Sequence, residues 1–312
     1  MDGNSQEKIT ELKAQLGKVI LGKGEVIQDL VIALLSGSHI LMEDVPGVGK
    51  TTLAKALAKS LSADFKRVQF TPDLLPTDIL GSSVYNPRDG TFTFKQGPVF
   101  TNILLADEIN RASPRTQSSL LEAMSERQAS IEGTTYALPA PFLVIATQNP
   151  IEFHGTYPLP EAQLDRFGMR INLGYPAKDQ EVDVLYSQFH HHPLENVSPL
   201  LDCAVVTEMQ TAVRAVRVDP RIARYIVDLT DASRHHSAVK VGCSPRGSLI
   251  LFRTTQARAF VASRDYAIPE DVKAVAVATL AHRLALETKA KYSGVLKEDI
   301  VRELLDKVPV GV

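Results

Sequence analysis

The stretch HILMEDVPGVGKTT, His39 to Thr52, decides the fold. Ile40–Met42 reads as a short apolar strand, the residues up to Gly49 as a Gly/Pro turn, and Lys50-Thr51-Thr52 as the opening of a helix. A strand that hands over to a helix through glycines is the setting a phosphate-binding loop needs. Gly47 and Gly49 let backbone N–H groups close round phosphate oxygens with no Cβ in the way. Lys50 is placed to reach the β- and γ-phosphates, the Thr51 hydroxyl offers a Mg²⁺ ligand, and the helix N-terminus adds a favourable dipole. Pro46, Gly47, Val48, Gly49, Lys50, Thr51 and Thr52 are therefore the expected nucleotide contacts. One position departs from G-x-x-x-x-G-K-[ST]: Asp44 replaces the first glycine, and its carboxylate is expected to point away from the phosphates. The alternative is a strand–turn–helix with two chance glycines, which the helical pattern LAKALAKSL just beyond disfavours.

Outward from this loop, the chain alternates strand and helix as far as Tyr175. Lys8–Ile20 and Glu25–Ser36 carry apolar residues at helical spacing, broken at LGKGE. Lys66–Phe70 is a second strand. Ser83–Tyr85 and Thr91–Phe94 flank the turn signal Asn86-Pro87-Arg88-Asp89-Gly90, which predicts a hairpin. Asn102–Glu108 is a buried-type strand ending in acids, followed by a helix over Ser113–Ser125 with Ser113-Pro114 as cap and first residue. A second hairpin pairs Ala129–Ile131 with Thr135–Leu138. Phe142–Pro150 is another buried strand, followed by a Gly/Pro-rich loop through His154–Pro160, a short helix over Glu161–Phe167 and a last strand over Gly168–Leu173. From Lys178 onward the pattern is helical, with no fixed-period repeat. The expected organisation is α/β, a parallel-sheet domain over residues 1–175 followed by a helical domain over 176–312.

Composition narrows the class further. The 312 residues suffice for two cores. With 34 basic and 36 acidic residues, the formal net charge of −2 argues against a whole-surface nucleic-acid footprint. Cys203 and Cys243 form no CxxC and imply neither a disulfide framework nor a zinc site. The polar start MDGNSQEKIT is not read as a secretory signal, and no apolar run is long enough to span a bilayer. A cytoplasmic protein is expected.

Asp107-Glu108 close a strand rich in Ile and Leu, at the end where parallel α/β sheets bind ligands. There Asp107 can hold Mg²⁺ and Glu108 can polarise a water for attack on the γ-phosphate. Asn149 ends the next strand; its amide can orient that water, although an asparagine before proline is also an ordinary turn former. The His190–His192 and His235-His236 runs lack acidic or Cys partners at ligand spacing and read as a solvated loop and helix face. Arg88, Lys95 and Arg127, on or beside the hairpins, read as exposed charges, with a pore-facing basic patch as the other reading.

The phosphate loop, ILLADE, ATQNP, EAQLDRF and GCSPR, in this order, resemble an AAA+ ATPase of the MoxR family. DVPGVGKT, GPVF, EINRA and PLPEAQLDRF carry the more specific part of the likeness, which covers nearly the whole chain. The resemblance implies an αβα sandwich on a five-stranded parallel sheet, followed by an all-α lid. It makes the hairpins a helix-2 insert (around 81–98) and a pre-sensor-1 hairpin (around 129–138). It also makes Asn149 look like sensor 1, Arg166 an arginine finger reaching ATP held by a neighbouring subunit, and Arg246 sensor 2. Val19-Ile20-Leu21-Gly22 resembles the segment that packs on adenine, so Val19, Ile20 and Gly22 join the expected cofactor contacts. The bland reading of Arg166 is a salt bridge to Asp165; Arg111 is a weaker candidate for an intersubunit contact. ATP and Mg²⁺ are the implied cofactors. A homo-oligomer, most naturally a hexameric ring, is the implied assembly. The implied work is maturation of protein complexes, including metal insertion, together with a partner bearing a von Willebrand factor A (VWA) domain with a metal-ion-dependent adhesion site (MIDAS) and a client complex. Set against this are a nucleic-acid motor or loader, a nucleotide-gated scaffold without significant turnover, and a magnesium-chelatase-like role.

Overall fold

The computed structural model describes residues 3–88, 90–149, 156–187 and 193–311. Asp89, Pro150, the start of the loop at His154 and the His190–His192 run lie outside the described residues. The strands in chain order are β1 (Ile40–Glu43), β2 (Phe65–Gln69), β3 (Gly81–Asn86), β4 (Thr91–Gln96), β5 (Ile103–Asp107), β6 (Gln128–Ile131), β7 (Thr134–Ala137), β8 (Leu143–Gln148) and β9 (Met169–Ile171). β1, β2, β5, β8 and β9 make one sheet in the order β2-β5-β8-β1-β9, every pair parallel.

Local sequence explains which strands are central. Ile103–Ala106 of β5 and Leu143–Thr147 of β8 are buried on both faces, as continuous apolar runs in a covered parallel sheet must be. β2, FKRVQ, buries Val68 alone and sits at the edge, where Arg67 and Gln69 keep access to water. Three neighbouring strands, β5, β8 and β1, all turn polar at their carboxyl ends: Asp107, Gln148 and Glu43. That edge is where a crossover sheet opens a crevice.

Helices α1 (Gly3–Val19), α2 (Gly24–Ser36) and α3 (Lys50–Ser60) pack against the sheet and one another. A short α4 (Pro76–Leu80), not foreseen in the sequence, leads into the β3–β4 hairpin. α5 (Pro114–Glu126) is capped by the Ser113 hydroxyl, which accepts from the Thr116 N–H, as its Ser-Pro start predicts. The two hairpins touch: Phe94 stacks on Tyr136 with ring centroids 4.3 Å apart, and the Ser83 hydroxyl donates to Glu132 at 2.6 Å. Tyr85 and Phe92 remain exposed at the outer end of the first.

After α6 (Glu161–Leu164) and β9, the chain runs through α7 (Lys178–Ser187), α8 (Cys203–Arg214), α9 (Pro220–Arg234), α10 (Pro245–Val261), α11 (Pro269–Leu280), α12 (Thr288–Tyr292) and α13 (Lys297–Lys307). A short antiparallel ribbon, β10 (Val239–Val241) with β11 (Ala285–Leu286), and an isolated parallel bridge between Arg217 and Tyr266 interrupt the helical pattern of this part. The lid shares its core with the first domain. α10 and α8 pack on α2, and α11 on β9, in one continuous apolar cluster.

Candidate functional site

The phosphate loop adopts the backbone its glycines were expected to allow. Gly47 and Gly49 sit at φ 86° and 100°, the left-handed region that costs a side-chain-bearing residue strain, and Gly49 caps α3. Lys50 Nζ folds back on the loop, donating to the Asp44 carbonyl at 2.8 Å and the Val45 carbonyl at 3.2 Å. Burial pulls its ammonium below the ordinary lysine range, opposed by the charges of Asp44, Asp107 and Glu108. The Asp44 carboxylate points away from the loop, as expected, and faces neither solvent nor a partner. It is buried and accepts from the Leu173 N–H at 2.6 Å and the Gly174 N–H at 2.9 Å. A glycine here could not tie the end of β1 to the chain leaving β9.

Pro46, Gly47, Gly49, Lys50, Thr51, Thr52, Asp107, Glu108 and Asn149 line one cleft of about 350 Å³. Val48 packs against the core beside it. The sequence reading missed two side chains in the cleft, Thr147 and Arg67. The Thr147 hydroxyl donates to Asp107 at 2.5 Å and accepts from the Glu108 N–H at 2.9 Å, so one residue of β8 bonds the Asp107 carboxylate and the Glu108 backbone just past β5. Arg67, on edge strand β2, donates to Asp107 Oδ2 from Nη2 at 2.6 Å and from Nε at 3.1 Å. Both lie on strands flanking β5: Thr147 follows Ala146, the partner of Ala106, while Arg67 stands opposite Leu105 and reaches along the strand to Asp107. Glu108 holds φ 57°, ψ 48°, left-handed geometry for a non-glycine residue, of the kind that accumulates at functional positions. Its carboxylate receives Nη1 of Arg111, the weaker candidate for an intersubunit contact, at 2.9 Å within the same chain.

The hard oxygen donors of Asp107 and Thr51, in one cleft with Lys50, suit a divalent cation bound alongside phosphates. The Val19–Gly22 turn lies beside them: Ile20 Cδ1 would be 3.6 Å from a Cβ on Gly49, and Gly22, at φ 71°, is closely covered by the Gln180 side chain of α7.

Arg166 and Arg246 are elsewhere. With Gly37, Ser38, His39 and Arg127 they line a second pocket of about 240 Å³. Ser38 and His39 precede β1 and the phosphate loop follows it, so this pocket and the nucleotide cleft lie at opposite ends of one strand, roughly 15 Å apart at about 3.3 Å per residue. Arg166 Nη1 donates to the Leu121 carbonyl at 2.9 Å and the Ser125 hydroxyl at 2.8 Å. The salt bridge to Asp165 is not what holds it, because Asp165 is taken by others. Buried Arg283 donates to its carboxylate at 2.6 Å and to its carbonyl at 2.7 Å, and the Ser244 hydroxyl donates to it at 2.9 Å. Arg127, just before β6, is exposed as read, and its side chain also lines this pocket. Its Nη2 donates to the Gly37 carbonyl at 3.2 Å. The hairpin charges Arg88 and Lys95 do not line it.

Beneath the pocket, His39 is buried, with Nδ1 accepting from the Val144 N–H at 3.0 Å and Nε2 donating to the Met124 carbonyl at 3.0 Å. Burial first, and the nearby Arg127 charge as well, lower its pKa to about 4, so the ring is neutral. His235 is exposed and bonds the Asp231 carbonyl, whereas His236 is partly buried and faces Glu303, so the reading of a solvated helix face fits the first and not the second. Among the described residues no helix is long and apolar enough to cross a membrane.

Comparison with known proteins agrees with this geometry. Residues 39–169 match the "ATPase family associated with various cellular activities (AAA)", and residues 231–304 match the AAA lid domain. Chaperone MoxR1 of Mycobacterium tuberculosis is 40% identical over 94% of this chain and 80% of its own length. Protein MoxR of Methylorubrum extorquens is 30% identical over 97% and 95%. The uncharacterized protein YeaC of Bacillus subtilis is 49% identical over 95% and 93%. The crystal structure of a candidate ATPase from Cytophaga hutchinsonii superposes with a TM-score of 0.91 at 41% identity, covering 99% of this chain and 96% of that one. With its phosphate loop, its paired acids and a lid in the matching order, the chain is an ATPase that belongs to the MoxR family of AAA+ proteins.

Proposed function

We propose that this protein hydrolyses Mg·ATP as a ring of identical subunits, most naturally six, with each active site shared between neighbours. The observation that carries this reading is the separation of the two arginines from the phosphate loop of their own chain. Arg166 and Arg246 stand at the amino end of β1, the loop at its carboxyl end. Neither guanidinium can serve its own nucleotide, whereas a second copy docked at that face would receive both.

In this reading the division near Tyr175 separates a nucleotide-binding domain from its lid. Gly47, Gly49 and the start of α3 present N–H groups to the phosphates, Lys50 leaves its two carbonyls for the β- and γ-phosphates, and Val19, Ile20 and Gly22 cover the base. Thr51 and Asp107 hold Mg²⁺, which supplies charge neutralisation between the phosphates. Glu108 takes the proton of the attacking water and Asn149 orients it; Thr147 holds the Asp107 carboxylate and the Glu108 backbone for that work. Arg166 from the neighbour meets the charge that develops on the transferred phosphoryl group, and Arg246 ties the neighbour's lid to the same phosphates. The output is remodelling or maturation of a protein complex, including metal insertion, with a VWA-domain partner in the cytoplasm. Support for this last step is the name of one relative, a chaperone, and the family itself.

The test is turnover and capture with Glu108→Gln. The variant should bind ATP as the wild type does while hydrolysing it about 10²-fold or more slowly. Purified with ATP from its host, it should retain a protein partner with a metal-ion-dependent adhesion site. Wild-type turnover would remove the catalytic assignment; recovery of nucleic acid alone would favour the motor reading.

A further inference from the structure

The pocket that holds Arg166 and Arg246 contains a third guanidinium, and no motif assigned it a task. Arg127 ends α5 at φ 53°, the left-handed conformation that closes the helix, and so turns its side chain back toward Gly37 and Ser38. The partners of two of these arginines are neutral. Arg127 donates to a carbonyl, and Arg166 to a carbonyl and a hydroxyl. No carboxylate lines the pocket among the described residues. Neither acid adjacent to these arginines lines it: Glu126, beside Arg127, is exposed outside the pocket, and Asp165, beside Arg166, is turned away to buried Arg283.

Three like charges round about 240 Å³ repel one another and focus a positive field that favours an anion there. Although Arg127 as a residue is exposed, desolvation of its guanidinium where it turns into the pocket, and after it the charge of Arg214, draw the group below the usual arginine range. The base of the pocket is rigid. Neutral His39 joins the Met124 carbonyl at the end of α5 to the Val144 N–H of β8, which fixes the strand under the arginines.

We infer that Arg127 is a third positioning residue delivered to the neighbouring subunit's nucleotide: together with Arg166 and Arg246 it forms a single receptor for the terminal phosphates of ATP bound by a second copy of this chain. This rests on the shared-site reading above. A planar fork at Arg127 can hold one phosphate oxygen pair while Arg166 meets the transferring group, dividing ground-state grip from transition-state charge.

The experiment compares Arg127→Asn, Arg127→Lys and Arg166→Ala. Asparagine removes the charge yet tolerates the left-handed backbone. Steady-state ATP turnover of Arg127→Asn should fall about tenfold to 10²-fold, while ADP affinity of dilute, monomeric protein stays at the wild-type value. Lysine should restore part of the rate. Adding excess Glu108→Gln protein, inactive but with intact arginines, should raise turnover per Arg127→Asn subunit several-fold, as required of a group that acts across an interface. If Arg127→Asn does not fold, Arg127→Lys takes its place in the mixing assay. Wild-type turnover by Arg127→Asn, a matching loss of monomer ADP affinity, or no recovery on mixing would each overturn the inference. If Arg166→Ala is impaired while Arg127→Asn is not, the inference alone fails; if Arg166→Ala also turns over normally, the shared-site reading fails with it.

Discussion

The two ends of β1 carry opposite chemistry. At the carboxyl end, Lys50 and Arg67 share one cleft with Asp107 and Glu108, and every charge there has a counter-charge close by. At the amino end, Arg127, Arg166 and Arg246 share a pocket with no acid in its lining among the described residues. In the first, internal ion pairs balance the charge; in the second, the lining supplies no countercharge. The contrast teaches why a site shared between two copies, as proposed above, would need both ends of the strand.

The hardest blow to that contrast would come from Arg166→Ala. It should lower turnover about 10³-fold, the lower end of what a guanidinium supplied in trans is worth, and leave the nucleotide affinity of monomeric protein untouched. A loss of monomer affinity would mean that the two ends serve one nucleotide after all, and steady-state kinetics beside fluorescent-nucleotide titration decides it.

Second comes Asp44→Ala, which tests whether the carboxyl end is held open by an internal tie. Two N–H groups, those of Leu173 and Gly174, would lose their acceptor. The expected cost is about 3 kcal/mol of unfolding free energy by chemical denaturation. Asn should recover part of it, and a change under about 0.5 kcal/mol would make the buried carboxylate a bystander.

The third prediction concerns pH and the floor of the arginine pocket. The folded pKa of His39, about 4, lies below its ordinary value of 6.5. Its contribution is therefore complete above pH 6.5 and is lost as pH falls toward 4, because the unfolded chain takes up the proton first. Asp29, raised to about 6 by burial, tilts stability the other way in the overlapping range, so the comparison must be with His39→Gln. The stability difference between wild type and that variant should shift against the wild type by about 2 kcal/mol between pH 7.5 and pH 5. A pH-independent difference would show that the ring is not held neutral.

The smallest effect is expected at Arg67. Its bond to Asp107 occupies the carboxylate proposed to hold Mg²⁺, and it is half exposed, so the pair is worth about 1 kcal/mol or less. Arg67→Ala should tighten Mg²⁺ binding about two- to fivefold, read from a Mg²⁺ titration of nucleotide affinity. Weaker binding would recast Arg67 as a phosphate ligand and deepen the positive side of the balanced cleft.

How much of this was legible in the chain depends on the range of the interaction. The buried strands, the glycine turn and the Ser-Pro helix start are local patterns, and each formed within a few residues of its expected bounds. Glu108 and Asn149 were readable because a strand end advertises itself by turning polar. Thr147 and Arg67 were not, since nothing in β8 or β2 alone says which residue will face Asp107; register between strands far apart in sequence decides that. The short α4 and the β10–β11 ribbon escaped notice because their stability comes from packing rather than from a period of their own.

The sequence by itself determined the phosphate loop, the paired acids, the order of strand and helix, and the family, because these rest on residue type and short spacing. Only the tertiary structure decided where polar groups far apart in the chain meet. Asp44 found two amides 129 and 130 positions away, Asp165 was claimed by Arg283, and Arg166 was left to gather with Arg127 and Arg246 at the far end of β1. A charge acts through distance and burial, and neither is written in the one-dimensional chain.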